Sequence, residues 1–369
     1  MKLTKIPLLL AVWLVSLLLG PLHSAQAEVA PVKLVSGLDH PWSMVFLPEG
    51  EMLISERAGA LRRVVNGQLL KEPVSGLPFV AARGQSGLLG LALHPDFARN
   101  RLLYFAYTGT GDGGYSTEVA RGRYQDGKLS EVQVLFKATP KVSGGRHFGG
   151  RLLFDRAGYL YITLGDRGQR QLAQQPQNHT GSLIRLHDDG RVPADNPFVG
   201  RSGFAPEIFS YGHRNMQGIA LNPFNGQIWT HEHGPQGGDE LNRHKPGANY
   251  GWPLITYGEE YGGGTVGEGR TQQDGLEQPL YYWVPSIAPS GLTFYTGDRY
   301  PGWKNNVLVG SLKFALLARL TLEGERVVKE ERLLNGAIGR IRDVQQGPDG
   351  YVYLLTDEGN GGLYRLEDS

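Results

Sequence analysis

The amino-acid sequence predicts an all-β fold, a six-bladed β-propeller whose blades are four-stranded antiparallel sheets. The 53 glycines and 22 prolines make up about a fifth of the 369 residues, which is typical of many short strands joined by turns. Sustained 3.6-residue periodicity is missing after the first 27 residues, so helix is expected to be sparse. A turn followed by alternating β-forming residues recurs six times along the chain.

The first three of these units precede residue 170. In "PEGEMLISERAGALRRV" a Pro-Glu-Gly turn leads into a strand at Met52, and "ARNRLLYFAYT" repeats the arrangement at Leu103. "DRAGYLYITLGDRG" does so at Tyr159 and adds a second glycine turn after the strand. In each unit, apolar and aromatic residues at alternating positions predict a strand, because successive side chains of a strand point to opposite faces.

The last three units follow the same pattern. They are "NPFNGQIWTHEHG" at Gln227, "GWKNNVLVGSLKFALLARL" at Val307 and "GPDGYVYLLTDEGNGGLYRL" at Tyr351, and the spacings between successive units run from 44 to 80 residues. A four-stranded blade takes about 40 to 50 residues, so each unit accounts for one blade and the excess forms loops. A β-sandwich or a pair of β domains is the alternative.

The N-terminal segment has the features of a secretory signal. Lys2 and Lys5 precede an apolar run over residues 6–19, and Ala25-Gln26-Ala27 is a small-residue cleavage pattern. We therefore expect cleavage after Ala27, a single propeller domain over residues 28–369, and a periplasmic or secreted protein. The alternative is an uncleaved anchor. No later run reaches the roughly 18 apolar residues of a membrane span, so the mature form is expected to have none.

Charge and cysteine content narrow the function classes. The formal net charge is +1, which gives no electrostatic reason to expect a nucleic acid or an anionic membrane as partner. The chain has no cysteine, so cysteine-based metal or redox chemistry is excluded. A small-molecule or neutral partner fits this composition better.

Polar residues that lie beside glycines near predicted strand ends are the candidate functional residues. A propeller gathers the loops of all its blades around one central channel, so residues distant in sequence can meet there. The candidates are Gln85, His147, Asp166, Arg214, Asn215, Lys313, Arg340 and Arg342, together with the loop "EHGPQGGDELN" over residues 232–242.

Four of these candidates, Arg214, Lys313, Arg340 and Arg342, are cations, and hardly a carboxylate lies near them in sequence except Asp343. The excess indicates a small polyanion held by charge-assisted hydrogen bonds. Arg340 and Arg342 are two residues apart on a predicted strand and are therefore expected to share a face. The alternative for these two is a pair of surface arginines that flank a strand.

His147, between the glycine pairs of "GGRHFGG", and Asp166 form a candidate base and its orienting carboxylate. The alternative is a solvated histidine in a tight loop. A G-x-S-x-G motif is not evident, which disfavours an acyl-enzyme hydrolase. Nor does a G-x-G-x-x-G motif lie between a strand and a helix, so hydride transfer would need an organic cofactor other than the dinucleotides.

Two loops complete the site predictions. "EHGPQGGDELNRHKPGANYGWP" combines glycines, carboxylates and asparagines, a composition suited to calcium, although a solvated loop explains it equally well. "TYGEEYGGGTVGEGRTQQDG", residues 256–275, is expected to be a long loop within the domain, because patterned strands continue on both sides.

Taken together, these stretches resemble the soluble aldose sugar dehydrogenases that depend on pyrroloquinoline quinone (PQQ), relatives of soluble quinoprotein glucose dehydrogenase. The resemblance extends from about residue 37 to the C-terminus. The matching stretches are "LDHPWSMVFLPEG", "GQSGLLGLALHPDF", "HFGGRLLFDRAGYLYITLGD", "SYGHRNMQGIALNP", "EHGPQGGDELNRHKPGANYGWP" and "IRDVQQGPDGYVYLLTD".

The resemblance implies a six-bladed propeller that binds PQQ over its central channel and oxidises the C1 hydroxyl of aldoses to the lactone. It implies that His147 is the general base, that Asp166 orients it, and that Arg214 lies against a quinone oxygen. The glycines around His147 would let the cofactor and the sugar approach the backbone. The implied PQQ-binding residues are Gln85, Arg214, Asn215, Tyr261, Lys313, Arg340 and Arg342, and the cation excess would match the three carboxylates of the cofactor.

The resemblance also implies calcium. One ion is expected against PQQ on the backbone carbonyls of Gly234 and Pro235, where it can polarise the quinone. A second, structural ion is expected at Glu240 and Tyr250. The implied reaction also requires an electron acceptor as a partner.

The chain departs from the family pattern in two respects. Met216 follows Arg214-Asn215 where many relatives have proline, and the chain is shorter than the glucose enzymes, without their cysteines. Shorter loops predict a more open sugar site, broad aldose tolerance and a monomer. The alternatives are a calcium-dependent propeller lactonase or esterase and a non-catalytic ligand-binding propeller.

Overall fold

The computed structural model describes residues 29–368. These residues form six four-stranded sheets whose strands all pair antiparallel, which confirms the predicted propeller. The predicted signal segment, residues 1–27, lies outside the described residues. Within residues 29–368, no helix is long and apolar enough to cross a bilayer.

The first three blades follow the chain in simple order from the innermost strand outward. Blade 1 consists of β2 (Pro41–Phe46), β3 (Met52–Glu56), β4 (Leu61–Val65) and β5 (Gln68–Leu69). Blade 2 consists of β6 (Leu88–Leu93), β7 (Leu102–Gly111), β8 (Gly114–Gln125) and β9 (Lys128–Lys137). Blade 3 consists of β10 (Leu152–Phe154), β11 (Leu160–Thr163), β12 (Ser182–Leu186) and β13 (Ile208–Tyr211).

The other three blades continue this order, and the last one closes the ring. Blade 4 consists of β14 (Met216–Leu221), β15 (Ile228–Glu232), β16 (Asp239–Arg243) and β17 (Tyr281–Trp283). Blade 5 consists of β18 (Pro289–Phe294), β19 (Val307–Ser311), β20 (Leu317–Glu323) and β21 (Arg326–Leu333). Blade 6 consists of β22 (Ile341–Gln346), β23 (Val352–Thr356), β24 (Gly361–Asp368) and β1 (Val29–Leu38).

The pairing of β1 with β24 joins the two ends of the described chain in one sheet. The six patterned units found in the sequence are β3, β7, β11, β15, β19 and β23, the second strand of every blade. As expected, helix is sparse among residues 29–368, where it is limited to α1 (Phe97–Asn100) and a 3₁₀ turn at Arg170–Gln174.

The apolar core lies between neighbouring blades. Each of the six interfaces has its own cluster of buried side chains; Tyr161 packs with Met216 between blades 3 and 4, and Leu308 with Val344 between blades 5 and 6. The first strands of successive blades lie side by side around a closed ring. Packing on both faces of every blade therefore fixes the positions of the strand ends that surround the central channel.

Candidate active site

A cavity of about 810 Å³ lies over one end of this ring. Its wall is formed by residues at the start of the innermost strands, such as Trp42, Gln217 and Arg342, and by residues that follow the second strands. Most of the predicted ligands line it: Gln85, Asn215, Tyr261, Lys313, Arg340 and Arg342, with Gly234 and Pro235. His147, Asp166 and Arg214 lie next to lining residues and not in the wall itself.

The three arginines of the cavity wall share one carboxylate, that of Asp357. Its Oδ2 accepts a hydrogen bond from Arg342 Nη2 at 2.5 Å and lies 3.5 Å from Arg340 Nη2, while its Oδ1 lies 3.8 Å from Arg57 Nη1. Burial alone would raise the pKa of the Asp357 carboxyl, but the charge and hydrogen bonds of Arg342 hold it well below its usual range. Asp357 is therefore ionised and keeps the arginines in place.

The sequence-based expectation that Asp343 offsets these arginines is wrong. Asp343 is fully buried beneath the cavity, where its Oδ1 accepts a hydrogen bond from Arg151 Nη1 at 2.6 Å and its Oδ2 one from the Met44 amide at 3.0 Å. The guanidinium of Arg151 stacks over Trp42, 4.2 Å from the ring centroid. Arg342 instead reaches Asp357, Ser290 and Gln217, so the two neighbouring side chains of β22 have separate partners.

Four cationic side chains and one carboxylate line the cavity, which gives its wall a formal net charge of +3 with histidine neutral. The cations are Arg57, Lys313, Arg340 and Arg342. Arg340 precedes β22 and Arg342 lies within it, and both reach the same cavity, as their spacing predicted. Such a wall is complementary to a small molecule with several negative charges.

His147 and Asp166 form the predicted pair. His147 Nδ1 lies 2.6 Å from Asp166 Oδ1, and Asp166 Oδ2 accepts a hydrogen bond from Trp252 Nε1 at 2.8 Å. The His147 amide donates to Gln85 Oε1 at 2.8 Å, which connects the pair to the cavity wall. With Nδ1 engaged by the carboxylate, Nε2 is the ring nitrogen that remains to accept a proton.

Burial lowers the pKa of His147 below its ordinary value of 6.5 and outweighs the opposing effect of the Asp166 hydrogen bond. Repulsion from Arg214 and Arg146 lowers it further. Burial alone would raise the pKa of Asp166, but the hydrogen bonds from His147 and from the Gly168 amide lower it. At neutral pH the pair is therefore a neutral imidazole on an ionised carboxylate, which is the state a general base needs.

This charge state gives a testable prediction for the protein without added ligand. The His147 ring should titrate with a midpoint below 6.5, and in the Asp166→Asn variant the midpoint should fall further, because the carboxylate favours the imidazolium. Ring signals in ¹⁵N NMR spectra recorded from pH 4 to 8, assigned by their loss in His147→Ala, would measure both midpoints. A wild-type midpoint at or above 6.5 would contradict the burial argument.

Arg214 is fixed at both its backbone and its side chain. Its amide donates to Glu232 Oε2 at 2.5 Å, and its Nη1 donates to the His233 carbonyl at 3.1 Å. The guanidinium carbon lies 6.0 Å from the centroid of Tyr261, a cavity residue with 71% of its surface exposed. Arg214 thus places a cation between the cavity and a second, smaller void.

The smaller void is lined by the predicted structural calcium ligands, Glu240 and Tyr250, and by Glu232. Burial raises the pKa of Glu232, and burial together with repulsion from Glu232 raises that of Glu240. The Asn242 side chain donates through Nδ2 to both carboxylates, to Glu232 Oε1 at 3.1 Å and to Glu240 Oε2 at 3.2 Å. Two carboxylates facing one buried space favour a bound cation or a shared proton.

The glycines around His147 serve backbone packing. A side chain at Gly149 would meet the Thr163 carbonyl at 2.5 Å, and one at Gly150 would meet Leu89 at 2.6 Å. Both residues also adopt positive φ angles, 63° and 96°. The loop therefore needs glycine to lie against blades 2 and 3, a reason that differs from the predicted close approach of a ligand.

Sequence reasoning missed Arg57 and Asp357, and it included His233 only as part of the loop over residues 232–242; all three line the cavity. A signal for them was present, since each directly follows the second strand of its blade. Asp166 and Lys313, which were recognised, come two to three residues after the corresponding strands of blades 3 and 5. The end of the second strand is therefore the recurrent source of site residues in this fold.

The chain is similar to known proteins over most of its length. Residues 38–365 match the family model described as glucose / sorbosone dehydrogenase. The chain is 45% identical to the aldose sugar dehydrogenase YliI of Escherichia coli (strain K12) over 350 residues, 94% of each chain.

Two solved dehydrogenase structures are also similar to this chain over most of its length. A crystal structure of a glucose dehydrogenase superposes with a TM-score of 0.90 at 50% identity, over 92% of this chain and 100% of the other. The PQQ-bound aldose sugar dehydrogenase of Streptomyces coelicolor superposes with a TM-score of 0.75 at 28% identity, over 92% and 99%. On these grounds, the chain belongs to the glucose/sorbosone dehydrogenase family.

Proposed function

We propose that the protein is a PQQ-dependent aldose dehydrogenase that oxidises the C1 hydroxyl of an aldose to the lactone. The observation that carries this proposal is the juxtaposition of a cavity wall of net charge +3 with a neutral, carboxylate-oriented imidazole. The wall suits a planar polyanion, and the imidazole suits removal of a hydroxyl proton. The family and the PQQ-bound relative support the same assignment.

The residues of the cavity fit PQQ in charge and in size. Lys313, Arg340 and Arg342 would bind its carboxylates, joined by Arg57, which the sequence alone did not suggest. Gln85, Asn215 and Tyr261 line the same cavity and would contact the remaining polar edges and a ring face, with Arg214 beside a quinone oxygen. When bound, PQQ supplies the hydride acceptor that no side chain can provide.

His147 acts as the general base in this proposal. Its Nε2 takes the proton from the C1 hydroxyl as hydride leaves C1, so that the substrate loses one proton and one hydride and becomes a lactone. Asp166 holds Nδ1–H and stabilises the imidazolium that forms, and Trp252 and Gly168 fix Asp166 by donating hydrogen bonds at 2.8 and 2.7 Å. The buried ring keeps only 11% of its side-chain surface exposed, which limits competition from water.

Calcium would bind at two places. Gly234 and Pro235 line the cavity and would offer backbone carbonyls to an ion that polarises the quinone. Glu240 would hold a structural ion in the smaller void with the Tyr250 backbone carbonyl, since the Tyr250 hydroxyl already donates to the Arg243 carbonyl at 2.5 Å. The paired carboxylates of Glu232 and Glu240 favour this second ion, because a cation offsets the cost of ionising both.

The N-terminal signal pattern supports a periplasmic or secreted enzyme that acts as a monomer and passes electrons to an external acceptor. The chain is shorter than the glucose enzymes, and we expect its shorter loops to leave the sugar site more open. This supports broad tolerance for aldoses and not tight specificity for glucose. Reduction of an artificial dye can stand in for the natural acceptor in tests of the reaction.

Reconstitution tests this function directly. Purified protein, incubated with calcium and increasing PQQ, is expected to reduce an electron-accepting dye in the presence of glucose or xylose, with saturation in PQQ. Omission of PQQ or addition of a calcium chelator should remove the activity. Absence of dye reduction with every aldose, together with lactone or ester hydrolysis by the same preparation, would overturn the proposal in favour of a calcium-dependent hydrolase.

A further inference from the structure

Arg167, the residue after Asp166, is a buried cation without a carboxylate partner. Only 6% of its surface is exposed, and among residues 29–368 no carboxylate oxygen lies within 4.0 Å of its guanidinium, although the charge of Asp166 favours the protonated form. Its Nε–H finds no acceptor in the described part of the chain. Burial lowers the pKa of the guanidinium, which nevertheless stays protonated at neutral pH. A buried cation of this kind costs stability, so its position calls for a compensating role.

The guanidinium of Arg167 is bonded to the loop that carries His147. Nη2 donates to the Gly144 carbonyl at 2.8 Å and Nη1 donates to the Arg146 carbonyl. The Arg167 amide donates to the carbonyl of His147 itself at 3.3 Å. The three donors therefore engage three of the four residues from 144 to 147.

The guanidinium of Arg167 also stacks on the side chain of Phe148, the residue after His147. Its guanidinium carbon lies 3.4 Å from the centroid of the Phe148 ring, which is 2% exposed and lines the cavity. Arg167 therefore contacts the chain on both sides of His147: it donates hydrogen bonds to the carbonyls of Gly144 and Arg146, and it stacks on the ring of Phe148. Stacking on an aromatic face is a preferred contact of a desolvated guanidinium.

The backbone of this region needs such support. His147 has a φ of 56° and Arg167 a φ of 54°, in the left-handed region that non-glycine residues adopt at a cost. Left-handed residues persist where surrounding contacts over-determine them. Since Gly144, Gly149 and Gly150 give the loop additional backbone freedom, the contacts that hold it must come from elsewhere.

We propose that Arg167 is a positioning residue for His147, which sets the backbone of the catalytic loop while its neighbour Asp166 sets the imidazole. One dipeptide thereby fixes the base in two ways: the carboxylate binds the ring nitrogen, and the guanidinium binds the carbonyls that precede it. The inference deepens the proposed function, on which the role of His147 as base rests. It assigns no contact with substrate or cofactor to Arg167.

The test compares Arg167→Lys with a matched substitution, Arg185→Lys. Arg185 is also buried and stacked on an aromatic ring, Tyr159, at 3.8 Å, but it pairs with Asp195 on the outer part of blade 3. Both substitutions keep the positive charge and replace the planar guanidinium, with its several N–H donors, by an ammonium group. Thermal unfolding would measure the stability loss of each variant. Arg185→Lys serves as the control because it changes a buried arginine that does not contact the loop.

The first readout uses the protein without cofactor. The groups that face His147 are Asp166, Arg214 and Arg146, and all three remain in the Arg167→Lys variant. Release of the loop should let water reach the ring, so the NMR titration midpoint of His147 should move up toward 6.5, while Arg185→Lys leaves it unchanged. An unchanged midpoint in Arg167→Lys would overturn the proposal.

The second readout uses enzyme reconstituted with PQQ and calcium. In Arg167→Lys, kcat should fall about 10-fold to 100-fold, the expected effect of a small displacement of a catalytic group, while PQQ affinity stays at the wild-type value. Equal kcat in both arginine variants would refute a positioning role. Should Arg167→Lys fail to fold, Arg167→Gln replaces it in both measurements with the same expected directions.

The two readouts separate this inference from the proposed function. If wild-type protein shows no PQQ-dependent turnover, the dehydrogenase proposal fails, but the titration of His147 still decides whether Arg167 holds the loop. If turnover is present and the midpoint does not move, the positioning role fails and the dehydrogenase proposal stands.

Discussion

Replacing His147 by alanine is expected to reduce turnover by about 10²-fold to 10⁴-fold, the usual contribution of a general base. The reason is that the substrate hydroxyl then has no positioned acceptor for its proton, whereas the cations proposed to bind PQQ are unchanged. Dye reduction measured with saturating PQQ and aldose would give the loss, and fluorescence or absorbance titration with PQQ would give the cofactor affinity.

The control for this prediction is His187→Ala, which removes an imidazole that contacts Tyr159 outside the cavity. It should leave both turnover and PQQ affinity at wild-type values. Turnover retained in His147→Ala would exclude His147 as the base. Loss of PQQ binding in the same variant would instead indicate that the loop has collapsed, and its rate could then not be interpreted as a catalytic effect.

The double change Arg340→Ala with Arg342→Ala is expected to raise the Kd for PQQ about 100-fold or more, since each charge-assisted hydrogen bond contributes about 1.5 to 3 kcal/mol. Asp357 keeps two other partners, His40 Nδ1 at 3.0 Å and Arg57 at 3.8 Å. The cavity should therefore stay formed while its wall loses two of four cations. Isothermal titration with PQQ in the presence of calcium would measure the change.

The matched control removes two exposed cations from the outer strand of blade 5, Arg326→Ala with Lys329→Ala, and thus makes the same change in net charge. It should alter the Kd little, because long-range attraction between exposed charges is screened by salt. Equal PQQ affinity in the wild-type protein and in the Arg340/Arg342 variant would refute the role of these arginines.

The sequence predicted most of the fold because the strand signal is local. Alternating apolar residues after a Gly, Asn or Asp turn marked the second strand of all six blades, and these strands are central in their sheets and buried on both faces. The outer strands carry less of this signal; β5 has two residues and β17 has three. Closure of the ring by β1 depends on contacts between residues more than 300 positions apart, which no local pattern encodes.

The candidate site was predictable where a residue stands beside a glycine in a loop. His147 and Asp166 were recognised in this way, and the structure brings them to 2.6 Å. Arg57 and Asp357 also lie two residues from a glycine and were nevertheless not recognised, so this pattern alone did not identify them. They join the site through the position that follows a second strand. The roles of Asp343 and Arg151 below the channel follow from burial, which spacing alone does not give.

Arg167 illustrates the same limit of local reasoning. It stands between two recognised features, Asp166 and a glycine, and yet its function depends on carbonyl groups some 20 residues earlier in the chain. Backbone acceptors carry no sequence signature, since every residue has one. Contacts of this kind become visible only when the fold places the two segments together.

In the proposed reaction, hydride leaves C1 of an aldose for PQQ as His147 removes the hydroxyl proton. Single-turnover reduction of the reconstituted enzyme, followed by the loss of quinone absorbance with unlabelled and C1-deuterated glucose, tests it most directly. We predict rapid bleaching that deuterium slows several-fold in the wild-type enzyme and that is lost in His147→Ala. A quinone spectrum that does not change on addition of any aldose would contradict the account.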